Sequence, residues 1–485
     1  MYISKIKLHN FKGFKGDHEL NFDSGVNFFV GDNNCGKSSV FEAIDFIRTS
    51  KAKKDIITKT EINNYVSVEI EFAGTDLDAL LEKEALNKYK SYLIDTAGTK
   101  TLRVIRSSEE TKIKQNKKDK TLSIKNVRIY SPKTKEFENP TGIDNTITAL
   151  FDAQFVWADT NSGDVADFSK TKICGKIINT IISNKVSDSW KNFKKSHKET
   201  FKKIADNLKP IEEKIQSKLS EQYGDTEVKF TFTLPEITDF LKLGNIVLSD
   251  NGIETSSAEK GTGMQRSLAL ALIQVYADIS SNSEKTIPTP IMFFIDEPET
   301  FLHPQAQNKL LDALEKISEE SQIFVITHSP YLLKKYKKDT HLLNIFEKDN
   351  GFNKQPKLDV ELALFGKLSP TWGEINYRAF GFITEDFHNE LYGFIQAKAV
   401  SEDIENEKEE QFDNYLCKKG IVKDKKWIAV RQGKTDEKCR TLPTYIRNFI
   451  HHPENDKNEK YTDEELKNSI KKLIDLIKGQ ENRKN

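Results

Sequence analysis

Three groups of residues have types and spacings that could do chemistry. The first is Gly31-Asp32-Asn33-Asn34-Cys35-Gly36-Lys37-Ser38-Ser39, a loop of the form G-x-x-x-x-G-K-[ST]. Its glycines let main-chain N–H groups turn inward around phosphate oxygens, and a helix starting there adds partial positive charge. Gly31, Asn33, Asn34, Cys35, Gly36 and Ser39 form the cradle, Lys37 bridges the terminal phosphates, and the Ser38 hydroxyl is a ligand for Mg²⁺. ATP and Mg²⁺ are therefore the expected cofactors. The second group is Asp296-Glu297, which ends the apolar run Pro290-Ile291-Met292-Phe293-Phe294-Ile295. Unpaired carboxylates at a buried strand end are costly, so these acids are expected to meet a metal or water. Asp296 would hold Mg²⁺ and Glu297 would polarise the attacking water. The third is Arg447-Asn448-Phe449-Ile450-His451-His452. A guanidinium can neutralise a phosphate and an imidazole can serve as a general base. The plainer reading is that Arg447 and His452 make structural contacts.

The elements that must position these residues are legible around them. Val26-Asn27-Phe28-Phe29-Val30 reads as a buried strand and Ser39 to Ile47 as the helix after the loop. Gln305 to Ser318 reads as a helix, and Gln322 to Ile326 as a buried strand that ends at Thr327-His328. Ile3 to Phe14 and Leu20 to Phe22 form an antiparallel pair ahead of the loop. Val66 to Phe72 alternates as a half-buried strand. Pro453 stops the helix that carries Arg447, so His452 falls at its C-terminal end. From Val186 to Tyr223 the composition shifts to Lys, Glu, Ser and Asn, with Trp190, Phe193, Phe201, Ile204, Leu208, Ile215 and Leu219 interspersed. This suits a helical hairpin broken at Pro210, or two helices meeting there.

At 485 residues the chain exceeds a single core, so two or three domains are expected. Charged residues make up 31% and cancel to a formal net charge of zero. No global field then attracts nucleic acid or membrane, and any nucleic-acid contact must come from a local patch. The basic run Lys112 to Lys120 reads as a solvated hairpin tip rather than a DNA contact. The cysteines Cys35, Cys174, Cys417 and Cys439 form no C-x-x-C pair, which suits a reducing cytoplasm and gives no zinc site. No signal-type segment opens the sequence and no apolar run is long enough to span a bilayer. A cytoplasmic protein is expected.

Asn10-Phe11-Lys12-Gly13-Phe14 just upstream of the loop resembles the start of the SMC, RecF and OLD group of ABC ATPases. The resemblance implies that Lys12 approaches the phosphates. Glu259 to Ala271, with Gly261-Thr262-Gly263-Met264-Gln265-Arg266, resembles the ABC signature loop in its OLD-like form, Thr262 taking the serine place. Thr262 and Gly263 would then close on the γ-phosphate held by another protomer, which makes a homo-oligomer an expected partner. By the same resemblance Asp296-Glu297 is a Walker B pair, Glu299 to Pro304 lies near the D-loop, and His328 is the switch histidine that contacts the γ-phosphate. Gln154 is a candidate for the glutamine that senses Mg²⁺. The implied fold is α/β, an SMC/RecF-like ABC ATPase head. Residues 1–184 would be the first lobe, 185–224 a short helical-hairpin insert and 225–347 the second lobe, the ATPase pattern ending after Phe346. The stub insert counts against chromosome tethering.

Residues 365–485 read as an all-helical C-terminal domain. Arg447-Asn448-x-x-x-His452 fits the motif of HEPN domains, many of which cut RNA. No Asp-x-Asp pair follows His328, so the Toprim nuclease of OLD relatives is not expected. Trp372-Gly373-Glu374-Ile375-Asn376-Tyr377-Arg378 and the Arg447 to Asn455 stretch also resemble PtuA-type ATPases of Septu and some retron antiphage systems. That resemblance implies a separate HNH nuclease partner of the PtuB type, with retron RNA or reverse transcriptase as further candidates. Three functions follow: a defence ATPase that restrains a nuclease partner, a self-contained ATPase–HEPN toxin that cuts RNA or tRNA, and a RecF-like DNA-repair ATPase.

Overall fold

The structure is a computed structural model. It describes residues 1–96, 98–115, 118–157, 173–178, 187–224, 226–231, 244–281, 289–300, 302–358, 363–431 and 434–481. The chain divides into two units, Met1–Phe155 with Thr289–Asn485, and Val156–Pro288.

The first unit is built on a six-stranded sheet in the order Asp152–Val156, Ile291–Asp296, Gln322–Ile326, Val26–Gly31, His341–Phe346, Lys357–Leu358. Strand Val26–Gly31 runs parallel to both its neighbours, Gln322–Ile326 and His341–Phe346, and Ile291–Asp296 runs parallel to Gln322–Ile326. Parallel strands buried on both faces read as unbroken apolar runs, and these are such runs. Phe28, Phe29, Phe41, Phe293, Phe294 and Phe324 are fully buried, with Phe294 stacked on Phe324 at 4.8 Å. Each such ring contributes about 1.5–3 kcal/mol by leaving water. Register places Asp296 beside Ile326 and Ile326 beside Phe29. The carboxyl ends of three parallel strands therefore open at one place, where ligands bind in open α/β sheets.

An antiparallel sheet accompanies it, in the order Glu136–Glu138, Val127–Ser131, Thr99–Ser107, Ser67–Ala73, Tyr2–Phe11, Phe14–Asn21. Gln322 joins the two sheets through its carboxamide. It accepts from Ile3 N at 2.8 Å and donates to the carbonyls of Ile3 and Asp23, each at 2.8 Å. The side chain thus acts as an extra peptide group that satisfies buried edge donors and acceptors.

The C-terminal part of this unit packs helices Trp372–Ala379, Glu385–Glu402, Glu409–Lys418, Leu442–His451 and Asp463–Glu481 around Phe387, Leu391, Ile395, Phe412, Ile446, Ile470 and Leu473. Thr371 and Glu374 form a capping box at the start of the first of these. The all-helical expectation fails here, because Lys425–Arg431 pairs antiparallel with Lys434–Arg440. Trp427 anchors that hairpin, its ring meeting Tyr445 edge-on at 5.7 Å.

In the second unit, Ser187–Tyr223 is one 37-residue helix with Pro210 inside it. The break expected at Pro210 is absent: proline removes one donor and crowds the preceding turn, but the rest of the helix ladder outlasts that loss. Helix Thr262–Ser281 and the hairpin Val247–Asp250 with Ile253–Ser256 also belong to this unit. Among the described residues no helix is long and apolar enough to cross a membrane.

Candidate active site

The phosphate loop leaves the sheet at Gly31, whose φ of 128° suits only glycine. A Cβ there would fall 2.1 Å from the Phe346 carbonyl oxygen. Asn34 (φ 61°) and Gly36 (φ 97°) are also left-handed, curling the loop into helix Lys37–Arg48. Lys37 is only 5% exposed. Its ammonium donates to the Gly31 and Asp32 carbonyls at 2.9 and 2.7 Å. Cys35 tucks under the loop and donates to the Asp32 carbonyl at 2.8 Å. Burial pushes its thiol above the usual range despite the nearby Lys37, so it packs as a neutral group.

The acids arrive from the neighbouring strands. Ser38 Oγ donates to Asp296 Oδ2 at 3.3 Å, and Asp296 is 8% exposed. A hydroxyl and a buried carboxylate side by side are hard oxygen donors of the kind that hold Mg²⁺ on phosphates, so the residues fit that ion. Bound there, Mg²⁺ would neutralise charge on the phosphate chain. Glu297 is left-handed (φ 47°), a rare conformation outside glycine, and its N–H donates to the Ile326 carbonyl at 2.9 Å. That turn brings its carboxylate out of the strand and to 3.7 Å from His328 Nε2. Burial, then the Lys37 charge, holds the His328 imidazole below the usual histidine range, with Glu297 opposing. It is therefore neutral at pH 7. Together these side chains line one cleft of about 660 Å³ with Asn33, Asn34, Cys35, Gly36 and Ser39. Lys12 lines it too, ion-paired with Glu42.

Sequence reasoning missed the part played by Glu299. Its Oε1 accepts from Thr327 Oγ1 at 2.7 Å and from His328 N at 2.8 Å, so it ties the segment after Asp296 to the histidine. Burial raises its pKa. The only signal available was a third acid, two residues after the Asp296-Glu297 pair. Gln154, on the strand Asp152–Val156, donates to Asp152 at 2.7 Å and is not among the described residues lining the cleft. Thr262 and Gly263 open a helix of the second unit, Thr262 exposed. Gln265 fixes that turn by donating to the Ala258 and Lys260 carbonyls at 3.1 and 2.7 Å.

Arg447, Asn448 and His452 lie elsewhere, on and just after helix Leu442–His451. Asn448 donates to Glu409 Oε1 at 3.0 Å, and Arg440 reaches the same oxygen at 3.2 Å. Arg447 donates to Asn448 Oδ1 at 3.1 Å and lies 3.9 Å from Glu409 Oε2. His452 pairs with Glu454 at 3.2 Å. Asn448 and His452 line a pocket of about 620 Å³ with Trp427 and Arg440, whereas Arg447 is not among its described lining residues.

A glycine phosphate loop, a Ser–Asp pair for a divalent cation, a turned-out glutamate and a strand-end histidine at one sheet edge define a P-loop ATPase. Residues 26–334 match the family model described as AAA domain, putative AbiEii toxin, Type IV TA system, and the chain belongs to that family. It is similar to the Old nuclease of Escherichia phage P2, 28% identical over 350 residues, which span 68% of this chain and 57% of that protein. It is also similar to the retron Ec83 probable ATPase of Escherichia coli, 23% identical over 396 residues and 68% of each chain. The DNA replication and repair protein RecF of Clostridium botulinum (strain Eklund 17B / Type B) is 32% identical over 137 residues, 27% of this chain and 33% of that one. Among solved structures, an Smc head bound to the C-winged helix domain of ScpA covers 74% of this chain and 98% of its own, at 16% identity and a TM-score of 0.44. The chain is an ATPase that is similar to the Old nuclease and to the retron ATPase.

Proposed function

We propose that this chain is the ATPase of an antiphage defence system, hydrolysing ATP in an oligomer and restraining a nuclease partner of the HNH type. One observation carries the reading. The cleft joins Lys37, Ser38, Asp296, Glu297 and His328 in a chain similar to a retron ATPase over most of both lengths. Thr262 and Gly263 have the types and helix-start position of a signature loop that serves a neighbouring protomer's nucleotide. The Trp372 to Arg378 run and the Arg447 to Asn455 stretch support a PtuA-type assignment, and with it a PtuB-like partner. Retron RNA or reverse transcriptase are the other candidate partners.

The test is to purify the chain together with the products of its genomic neighbours, trap it with Glu297→Gln and Mg-ATP, and measure mass and nuclease activity. A trapped oligomer that carries a nuclease and holds it inactive is expected. A monomer with no nuclease attached would overturn the proposal.

A second reading is favoured by the pocket that Asn448 and His452 share with Trp427 and Arg440. In it the chain cuts RNA by itself, His452 as base and Arg447 as phosphate ligand, once Arg447 leaves Glu409. Growth arrest by the chain alone, lost in both Arg447→Ala and His452→Ala, would favour it. Retained arrest in both variants would exclude it.

A further inference from the structure

The cleft has a wall that the nucleotide motifs leave unexplained. After the core strand His341–Phe346, Lys348–Asp349 pairs antiparallel with Phe352–Asn353. From this hairpin Lys348, Gly351 and Asn353 line the same cleft as Lys37 and Asp296. Asn353 is 5% exposed, and its N–H donates to the Gly13 carbonyl at 2.9 Å. Its carboxamide lies between two glycines. A Cβ on Gly13 would fall 2.5 Å from Asn353 Nδ2, and one on Gly36 2.1 Å from it. Both glycines thus leave room for this one amide, which sits against the residue just before Lys37. The atom nearest both glycines is the Nδ2 donor, the end of the carboxamide that can hydrogen-bond to an anion.

Lys348 adds a cation. Lys37 is bonded to loop carbonyls and Lys12 is paired with Glu42. Lys348 is exposed, and its ammonium makes no hydrogen bond or ion pair among the described residues. We propose that the hairpin Lys348–Asn353 is a nucleotide-recognition element. In this role the Lys348 ammonium and the Asn353 carboxamide contact the phosphate chain of ATP alongside Lys37. Charge explains the choice of groups: a triphosphate is polyanionic, and hydrogen bonds from ammonium or amide donors to an anion are the strong ones. The proposal rests on ATP binding at the phosphate loop.

Titration of the full chain with a fluorescent ATP analogue and Mg²⁺ tests it. Lys348→Ala and Asn353→Asp should each weaken binding about tenfold, because one removes a cation and the other puts a carboxylate against the phosphates. Lys354→Ala should bind like the parent, since its ammonium pairs with Asp349 at 3.5 Å. Lys37→Ala should bind no analogue; normal binding by that variant would sink the cleft assignment itself. If Lys37→Ala fails to bind while Lys348→Ala and Asn353→Asp bind within twofold of the parent, only the hairpin proposal is overturned. Nucleotide-free melting temperature is measured in parallel. Should Asn353→Asp melt early, Lys348→Ala, a surface change, decides the matter.

Discussion

Glu297→Gln isolates the chemical step from binding. The substitution keeps the side chain's size, and the main chain there is fixed independently by the Glu297 N–H to Ile326 carbonyl bond at 2.9 Å. Thr300 Oγ1, now donating to Glu297 Oε2 at 3.3 Å, can donate to the new carboxamide oxygen. Folding stability should therefore move by less than about 0.5 kcal/mol. What disappears is the negative oxygen proposed to orient and polarise water. Loss of a positioned general base lowers turnover by about 10²–10⁴, which is about 3–5 kcal/mol at 1.36 kcal/mol per decade. ATP affinity should hold or rise, since a carboxylate near polyanionic phosphates repels them. Phosphate release at saturating Mg-ATP gives the turnover, and equilibrium titration with an ATP analogue gives the affinity. A turnover within fivefold of the parent would refute the role given to Glu297. A matching loss of melting temperature would show that the residue is structural.

Other perturbations probe the neighbours of that glutamate. The depressed pKa of His328 means that it gains a proton only below the usual histidine range, so kcat should be flat from about pH 6.5 upward and fall on the acid side. His328→Gln should flatten that limb in a pH–rate profile. Glu299→Ala strands the Thr327 hydroxyl and the His328 N–H, at about 1–3 kcal/mol each, visible in denaturant unfolding; Glu299→Gln, keeping an acceptor, should cost less. His388 is fully buried, bonded to Ser469 Oγ at 2.9 Å, and burial pulls its pKa down to about 4. Its folded form binds fewer protons than its unfolded form, so its share of stability is complete above about pH 6.5 and lost as pH falls toward 4. That share is about 3 kcal/mol, and His388→Gln should remove it from the difference between pH 7 and pH 4 unfolding curves.

The nucleotide half of the site was legible because its determinants are local. Glycines at fixed offsets, an apolar strand and a terminal acid pair each announce themselves within ten residues or so. Parallel pairing then brings Gly31, Asp296 and His328 to one sheet edge without further instruction. Asn353 was invisible for the opposite reason. It reaches the loop through a short hairpin with no periodicity and no motif, and Gly13 and Gly36 reveal its presence only once all three are in space. The hairpin Lys425–Arg440 was hidden by its lysines and acids, whose alternation serves a strand exposed on one face as well as a helix. The spacing of Arg447, Asn448 and His452 could be read directly, but the carboxylate that occupies two of them could not. Glu409 lies 39 residues from Asn448 in sequence, on another helix.

The path from the cleft to the C-terminal helices has a physical beginning in the residues after His328. His328 is followed by Ser329 and Pro330, and the Pro330 carbonyl accepts a hydrogen bond from Trp372 Nε1 at 3.2 Å. Lys334 stands 5.5 Å from the centre of the same indole, and Tyr331 meets it at 6.4 Å. Trp372 begins the first C-terminal helix, which its Thr371–Glu374 cap holds firmly in place. Glu299 accepts from His328 N, so the segment is held at both ends. A displacement of the main chain at Pro330 would either carry the indole with it or break the Trp372 bond and the Lys334 contact, worth about 1 kcal/mol each. Two such contacts amount to roughly a thirtyfold change in the balance of two conformations, ample for a regulatory switch and too small to trap one state.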